Sequence, residues 1–179
     1  MRSLRIALGL STALAAAAGA AFAAASSASA ASTTSLTRTL IQDPGLTIQE
    51  SHGFIAGTGS AAAVKSAASE LTGLGVGNTA LYTGAGGTGQ GIVILTGNDE
   101  PEGTDFQVVN LTAAHVQNDS ADQDAVYADN GGGLAATVAP SGSSDLTPPV
   151  DVDFAVYPPG TTPPPDNRGL NPSAQFTWS

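Results

Sequence analysis

The sequence predicts a mainly β, antiparallel, sandwich-like single domain with one short helix. Three observations point to it. Short runs of β-branched and aromatic residues are separated by Gly, Asn, Asp and Pro. One run alternates strictly, Val150, Val152, Phe154 and Val156 against Asp151, Asp153, Ala155 and Tyr157. Only one stretch has helical spacing, with Val64, Ala67, Ala68 and Leu71 on one face. Repeats of solenoid or propeller period are absent from the 179 residues.

The chain opens with a targeting pattern. Arg2 and Arg5 precede an Ala-rich apolar stretch, Ile6 to Ala25, and Ala28-Ser29-Ala30 supplies the small residues that a signal peptidase reads. Residues 1–31 are therefore expected to be a signal peptide cut after Ala30 or Ala31, an uncleaved membrane anchor being the alternative. Residues 32–157 follow as the β-rich domain and 158–179 as a proline-rich tail with a short terminal strand. Chains of about 150 residues bury about 68–70% of their unfolded surface, enough for one cooperative core without disulfides.

Along the domain, a polar lead from residue 32 ends at the Pro44-Gly45 turn. Leu46, Ile48, Phe54 and Ile55 are strand formers broken by Ser51-His52-Gly53, which allows one bulged strand or two short ones. Ser60 suits the helix N-cap and Gly73 its C-terminal glycine. Strands are expected over 79–83, 91–96 and 106–112; Ile92-Val93-Ile94-Leu95 lacks alternation, as a strand covered on both faces would. Residues 125–128 and 134–139 flank Asp129-Asn130-Gly131-Gly132-Gly133, a hairpin with a glycine-rich tip. The strand over 150–157 should have one core face and one wet face. After it, Pro158 to Pro165 reads as extended polyproline-type spacer ahead of a terminal strand at 175–178.

Composition excludes several function classes. With 15 Asp+Glu against 5 Lys+Arg and a formal net charge of −10, a nucleic-acid partner is not expected, because phosphate binding needs clustered basic groups. Attraction to an anionic membrane is disfavoured for the same reason, and no insertion is expected once the leader is gone. The absence of Cys removes thiolate metal sites, catalytic cysteines and disulfides. Gly84-Ala85-Gly86-Gly87-Thr88-Gly89 has the look of a phosphate-cradling loop, but a strand and not a helix follows it, so a hairpin tip is expected. No Gly-x-Ser-x-Gly elbow occurs, and His52 and His115 are the only imidazoles, so a histidine-dependent hydrolase would have to use one of them.

Acidic residues are the most informative polar feature. Asn98, Asp99, Glu100, Glu102 and Asp105 crowd one loop, and Asn118, Asp119, Asp122, Asp124 and Asp129 crowd the next. Such hard oxygen donors suit Ca²⁺, although neither run fits the EF-hand pattern and a solvated acidic surface is the plainer reading. Asp119, Asp122, Asp124 and Asp129 form the better calcium set. A seven-residue strand between the runs spans about 23 Å, which predicts two separate sites. Asp151 and Asp153 share a strand face at a spacing a glycosidase could use, though a solvated face fits better.

The stretches Leu71 to Val76, Asn78 to Ala85 and Gly91 to Asn98, with weaker echoes at Asp124-Ala125-Val126 and Val152-Asp153-Phe154, resemble the choice-of-anchor type of bacterial secreted surface-protein domain. The resemblance spans about a third of the exported chain and implies a secreted or surface-displayed β domain. No functional residue carries over. The expected function is a secreted, non-enzymatic cell-surface or extracellular-matrix interaction module, calcium-stabilised, whose partner is a surface protein or polysaccharide. Alternatives are a carbohydrate-binding domain stacking sugars on Tyr82, Tyr157 and Trp178, and an extracellular hydrolase using His115 or His52.

Overall fold

The computed structural model describes residues 45–128, 132–170 and 172–178. Ten elements follow in order: β1 (Leu46–Ser51), β2 (Phe54–Ser60), α1 (Ala61–Gly73), β3 (Asn78–Gly84), β4 (Thr88–Leu95), β5 (Thr104–Asn118), β6 (Gln123–Ala128), β7 (Leu134–Val138), β8 (Gly142–Tyr157) and β9 (Pro172–Thr177). The strands lie in the order β1-β2-β4-β3-β5-β8-β6-β7, and β9 adds in parallel beside the first half of β5. All other pairings are antiparallel. Among the described residues no helix is long and apolar enough to cross a membrane.

Two long strands turn this sheet into a sandwich-like fold. The second half of β5 pairs β3, while its first half pairs β9. Between the Gln107–Asp153 and Thr112–Asp151 pairs, β5 advances five residues and β8 two, and Asn110 in this bulge adopts φ 65°. Asn tolerates that left-handed conformation, and bulges bend the strand that carries them. On β8, Pro148 and Pro149 sit where pairing to β5 lapses, as residues without an N–H must. The halves close on one core in which Phe106 stacks on Phe154 and meets Phe54 edge-on, both at 5.0 Å between centroids.

Helix α1 starts where expected, with Ser60 Oγ accepting from the Ala63 N–H at 3.3 Å. It buries Val64, Ala67, Ala68 and Leu71 on β2, β3 and β4. The helix ends at Gly73, but the glycine that reverses the chain lies two residues further on. Gly73 is still helical, and Gly75, at φ 75°, makes the left-handed turn while Val76 N–H bonds the Leu71 carbonyl. The glycine that terminates a helix is the one that must reverse φ. Of Ser51-His52-Gly53, Ser51 still pairs with Phe54, and His52-Gly53 separates two strands, with φ positive at both, as a tight hairpin needs. Ile92, Val93 and Ile94 are fully buried between the core and α1.

The hairpin of β6 and β7 forms as expected, with Val126 opposite Ala136 and Val138 opposite Asp124; Asp129, Asn130 and Gly131 of its tip lie outside the described residues. The expected wet face of β8 is wet only at Asp151. Asp153, Ala155 and Tyr157 are buried, because the proline-rich residues 158–170 fold back over them instead of serving as a spacer. Gln123 Nε2 donates to the Thr161 carbonyl at 2.6 Å and Tyr127 Oη to that of Pro164 at 3.2 Å.

Candidate functional site

Alternation on β5 places His115 and Gln117, with Asp119 just past the strand's end, toward α1, whose Lys65, Ser69 and Thr72 recur at i, i+4 and i+7 on the facing side. Lys65, Ser69, Thr72, Gln117 and Asp119 line a cleft of about 380 Å³. Its walls are ordered by short bonds. Gln117 Nε2 donates to Asp119 Oδ2 at 2.7 Å, and Thr72 Oγ1 donates to the Ala68 carbonyl at 2.8 Å. The Tyr82 ring lies fully buried beneath Lys65, whose ammonium is 5.6 Å from the ring centroid. Burial, reinforced by the Asp119 charge, pushes the Tyr82 phenol up to about 12. Burial also raises the Asp119 carboxyl, against the Gln117 hydrogen bond.

Beside the cleft, the Gly84–Thr88 tip of the β3–β4 hairpin is clamped from two sides. Asp145 Oδ1 on β8 accepts from the Gly86 N–H at 2.9 Å and lies 2.7 Å from His115 Nδ1. Lys65 Nζ donates to the Gly86 carbonyl at 3.4 Å. The Gly86 N–H, then His115, hold the Asp145 carboxyl below its ordinary range. With that carboxylate as acceptor, His115 donates through Nδ1. Gly87, at φ 71°, lets Lys65 Cε approach to 2.9 Å of where a Cβ would stand. The glycine run is thus a hairpin tip, and its backbone faces protein side chains. His52 sits apart on the exposed β1–β2 turn, with Nδ1 3.3 Å from Ser51 Oγ.

The expected calcium set is dispersed. Asp119 lines the cleft, Asp122 lies in the β5–β6 turn, Asp124 points into the core, and Asp129 is outside the described residues. Asp124 Oδ2 accepts from Thr79 Oγ1 at 2.8 Å while Oδ1 is sealed without a partner, and burial pushes this carboxyl up to about 8. Among the described residues no three His, Asp or Glu side chains form a group that could hold a metal ion.

The two acidic runs nevertheless meet, contrary to the expectation of separate ends. Asp122 accepts a hydrogen bond from the Glu100 backbone and feels the charge of Asp99, and Glu100 in turn is raised by burial and by Asp122. The reason is where the loop begins. Thr96 N–H bonds the Gly77 carbonyl and Asp119 N–H bonds that of Asn78, so β4 ends at the edge where β5 finishes. Strand length separates Asp105 from Asp122, and not Asp99 or Glu100.

Comparison with protein-family models, with curated proteins and with solved structures returns no match to this chain. The site therefore rests on its own geometry.

The three aromatics expected to stack on sugar do not form a platform. Tyr82 is the buried floor under Lys65, Tyr157 is buried beneath residues 158–170, and Trp178 is half-buried against the core, its N–H bonded to the Val109 carbonyl. A sugar ring needs an exposed aromatic face, which Tyr82 and Tyr157 do not offer and Trp178 offers only in part. Nor are Asp151 and Asp153 a working pair: Asp151 accepts from Thr112 on the exposed surface while Asp153 is buried on Asn167. Sequence reasoning missed Lys65 and Asp145. Lys65 is the sole lysine of the chain, a signal that was available; Asp145 precedes the stretch expected as strand, and its tie to His115 is long-range.

Proposed function

We propose that this domain is a secreted, non-enzymatic interaction module of the cell surface or extracellular matrix, and that it takes a polyhydroxylated ligand, the chemistry of a polysaccharide segment, in the cleft between α1 and β5. The observation that carries this reading is the lining of that cleft: an ammonium, two hydroxyls, a carboxamide and a carboxylate on a rigid helix and strand. Such a mixture of donors and acceptors suits vicinal hydroxyl groups, and its volume falls within the range of small-ligand clefts, about 300–1,000 Å³. The leader pattern of residues 1–31 and the resemblance to choice-of-anchor domains support export. Titration with a panel of soluble polysaccharides and their oligosaccharides, followed by amide chemical shifts, tests the reading. Saturable binding should weaken at least tenfold in Lys65→Ala and in Asp119→Ala and remain in Glu102→Ala, on an exposed loop. Binding to none of them, or binding indifferent to both cleft substitutions, would reject the cleft as the ligand surface.

The His115–Asp145 bond favours a second reading, a hydrolase in which His115 is the base and Asp145 orients it. Among the described residues no hydroxyl is hydrogen-bonded to this imidazole, whose partner is Asp145, so the nucleophile would be a bound water. Ester or glycoside hydrolysis lost in His115→Ala would support it.

A further inference from the structure

The face of β5, β8 and β6 turned away from the core carries buried acids under a strap. Pairing sets Gln107, Asp153 and Tyr127 in one row and Asp105, Ala155 and Ala125 in the next, with Tyr157 beyond them. Residues 158–170 are the layer over this face. They are tied by Gln123 to Thr161 and by Tyr127 to Pro164, as above, by Leu134 N–H to the Pro165 carbonyl at 3.0 Å, and by Asn167 Nδ2 to Asp153 Oδ2 at 2.9 Å. Leu170 packs on the Tyr127–Tyr157 cluster. Asp105 is 4% exposed, and its Oδ1, like Oδ1 of Asn167, is sealed from solvent without a partner.

We propose that residues 158–170 are a pH-sensitive latch, seated on the sheet while Asp105 carries a proton and lifted when Asp105 ionises. A neutral carboxyl is tolerated beside Ala125 and Ala155, whereas an ionised one needs hydration that reaches it only if the strap moves. The groups facing Asp105 do not relieve its charge. β8 offers Asp153 and Tyr157, β6 offers Tyr127, β9 offers no titratable side chain, and the strap offers Asp166 with Arg168. Arg168 is exposed, with Nη2 bound to Asp166 Oδ2 at 2.6 Å. Asp105 lies within electrostatic reach of Tyr127, the phenol that holds Pro164, and Asp166 reaches the same phenol from the strap. Burial pushes the Asp105 carboxyl up to about 6, opposed by the Phe106 N–H. An acid whose folded value is raised favours the closed form at low pH and withdraws that support as pH rises through the folded value. The inference is independent of the cleft reading.

The experiment is a pH titration, from 4.5 to 8.5, of the isotopically labelled full chain by NMR. It follows the Asn167 and Gln123 side-chain amides and the Leu134 backbone amide. These signals should move together with a midpoint near 6, and Asp105→Asn should hold them at the acid position up to pH 8. Strap signals that ignore pH in the wild type, or that keep the same midpoint in Asp105→Asn, would overturn the latch. If Asp105→Asn does not fold, Asn167→Ala supplies the decision. It weakens closure without touching Asp105, so the midpoint read at Gln123 and Leu134 should shift toward an ordinary carboxylate value, and an unmoved midpoint would contradict the proposal.

Discussion

The sheet has two outer faces, and they are covered by opposite means. Over β2, β3 and β4 lies α1, a regular element that satisfies its own backbone and buries four apolar side chains against the strands. Over β5, β8 and β6 lies the strap, which has few amides to donate and holds on through side-chain bonds to its carbonyls. A helix laid on a sheet leaves polar flanks free to form a cleft. A strap laid on a sheet seals what lies beneath it, acids included, and its fit depends on their protonation.

The largest expected difference between the covers is in packing. Leu71→Ala, at a fully buried site under α1, should cost about 2–5 kcal/mol in denaturant unfolding, the range for buried leucine truncations. Leu170→Ala, half-buried on the strap, should cost about 1 kcal/mol or less, since less apolar surface is lost. Equal losses would mean that the strap is as integral as the helix.

Global stability should fall as pH rises from about 4 to 8. Asp105 and Asp124 have folded values raised to about 6 and about 8, so their contribution is complete below the unfolded carboxylate range and is lost as pH climbs through those values. Asp145 and Asp166 are lowered, and their contribution, present above the unfolded range, is lost only as pH falls below it. Melting curves of wild type and Asp124→Asn check this. The variant keeps an acceptor for Thr79 and should flatten the slope above pH 6, and an unchanged slope would assign the effect elsewhere.

A smaller effect is expected at the hairpin tip beside the cleft. Gly87→Ala forces a side chain into the left-handed region and against Lys65, at about 1–2 kcal/mol. The smallest is Asp145→Asn, whose exposed carboxylate should leave the melting temperature nearly unmoved. The Gly86 amide and His115 ring signals should still shift, because both lose an anionic acceptor. If neither moves, the clamp does not exist in solution.

How much of this was legible in sequence follows the same division. The helix face could be read because Val64, Ala67, Ala68 and Leu71 repeat at the helical period and Ser60 caps them; Gly75 displaced Gly73 because only backbone geometry shows which glycine reverses φ. β4 and the β6–β7 strands were legible from aliphatic runs and turn residues. The strap was not, because prolines carry no period and its partners, Gln123, Tyr127 and Asp153, lie elsewhere in the chain. For that reason the alternation of Val150 to Tyr157 suggested a wet face that the structure covers. Asp119, singled out for calcium, is a wall of the cleft, and Tyr82, singled out for stacking, is buried beneath Lys65, a lysine whose position only the fold supplies.

The contrast between the two covers is tested most directly by residue-resolved hydrogen exchange on one sample at pH 5 and pH 8, each amide corrected for its intrinsic rate. The Leu134 and Asn167 amides, bonded to Pro165 and Gly132, should lose at least tenfold in protection at pH 8 relative to the Ala68 and Leu71 amides of α1. Protection that changes by the same factor under both covers would contradict a strap that opens with pH beyond the loss of global stability that the helix shares.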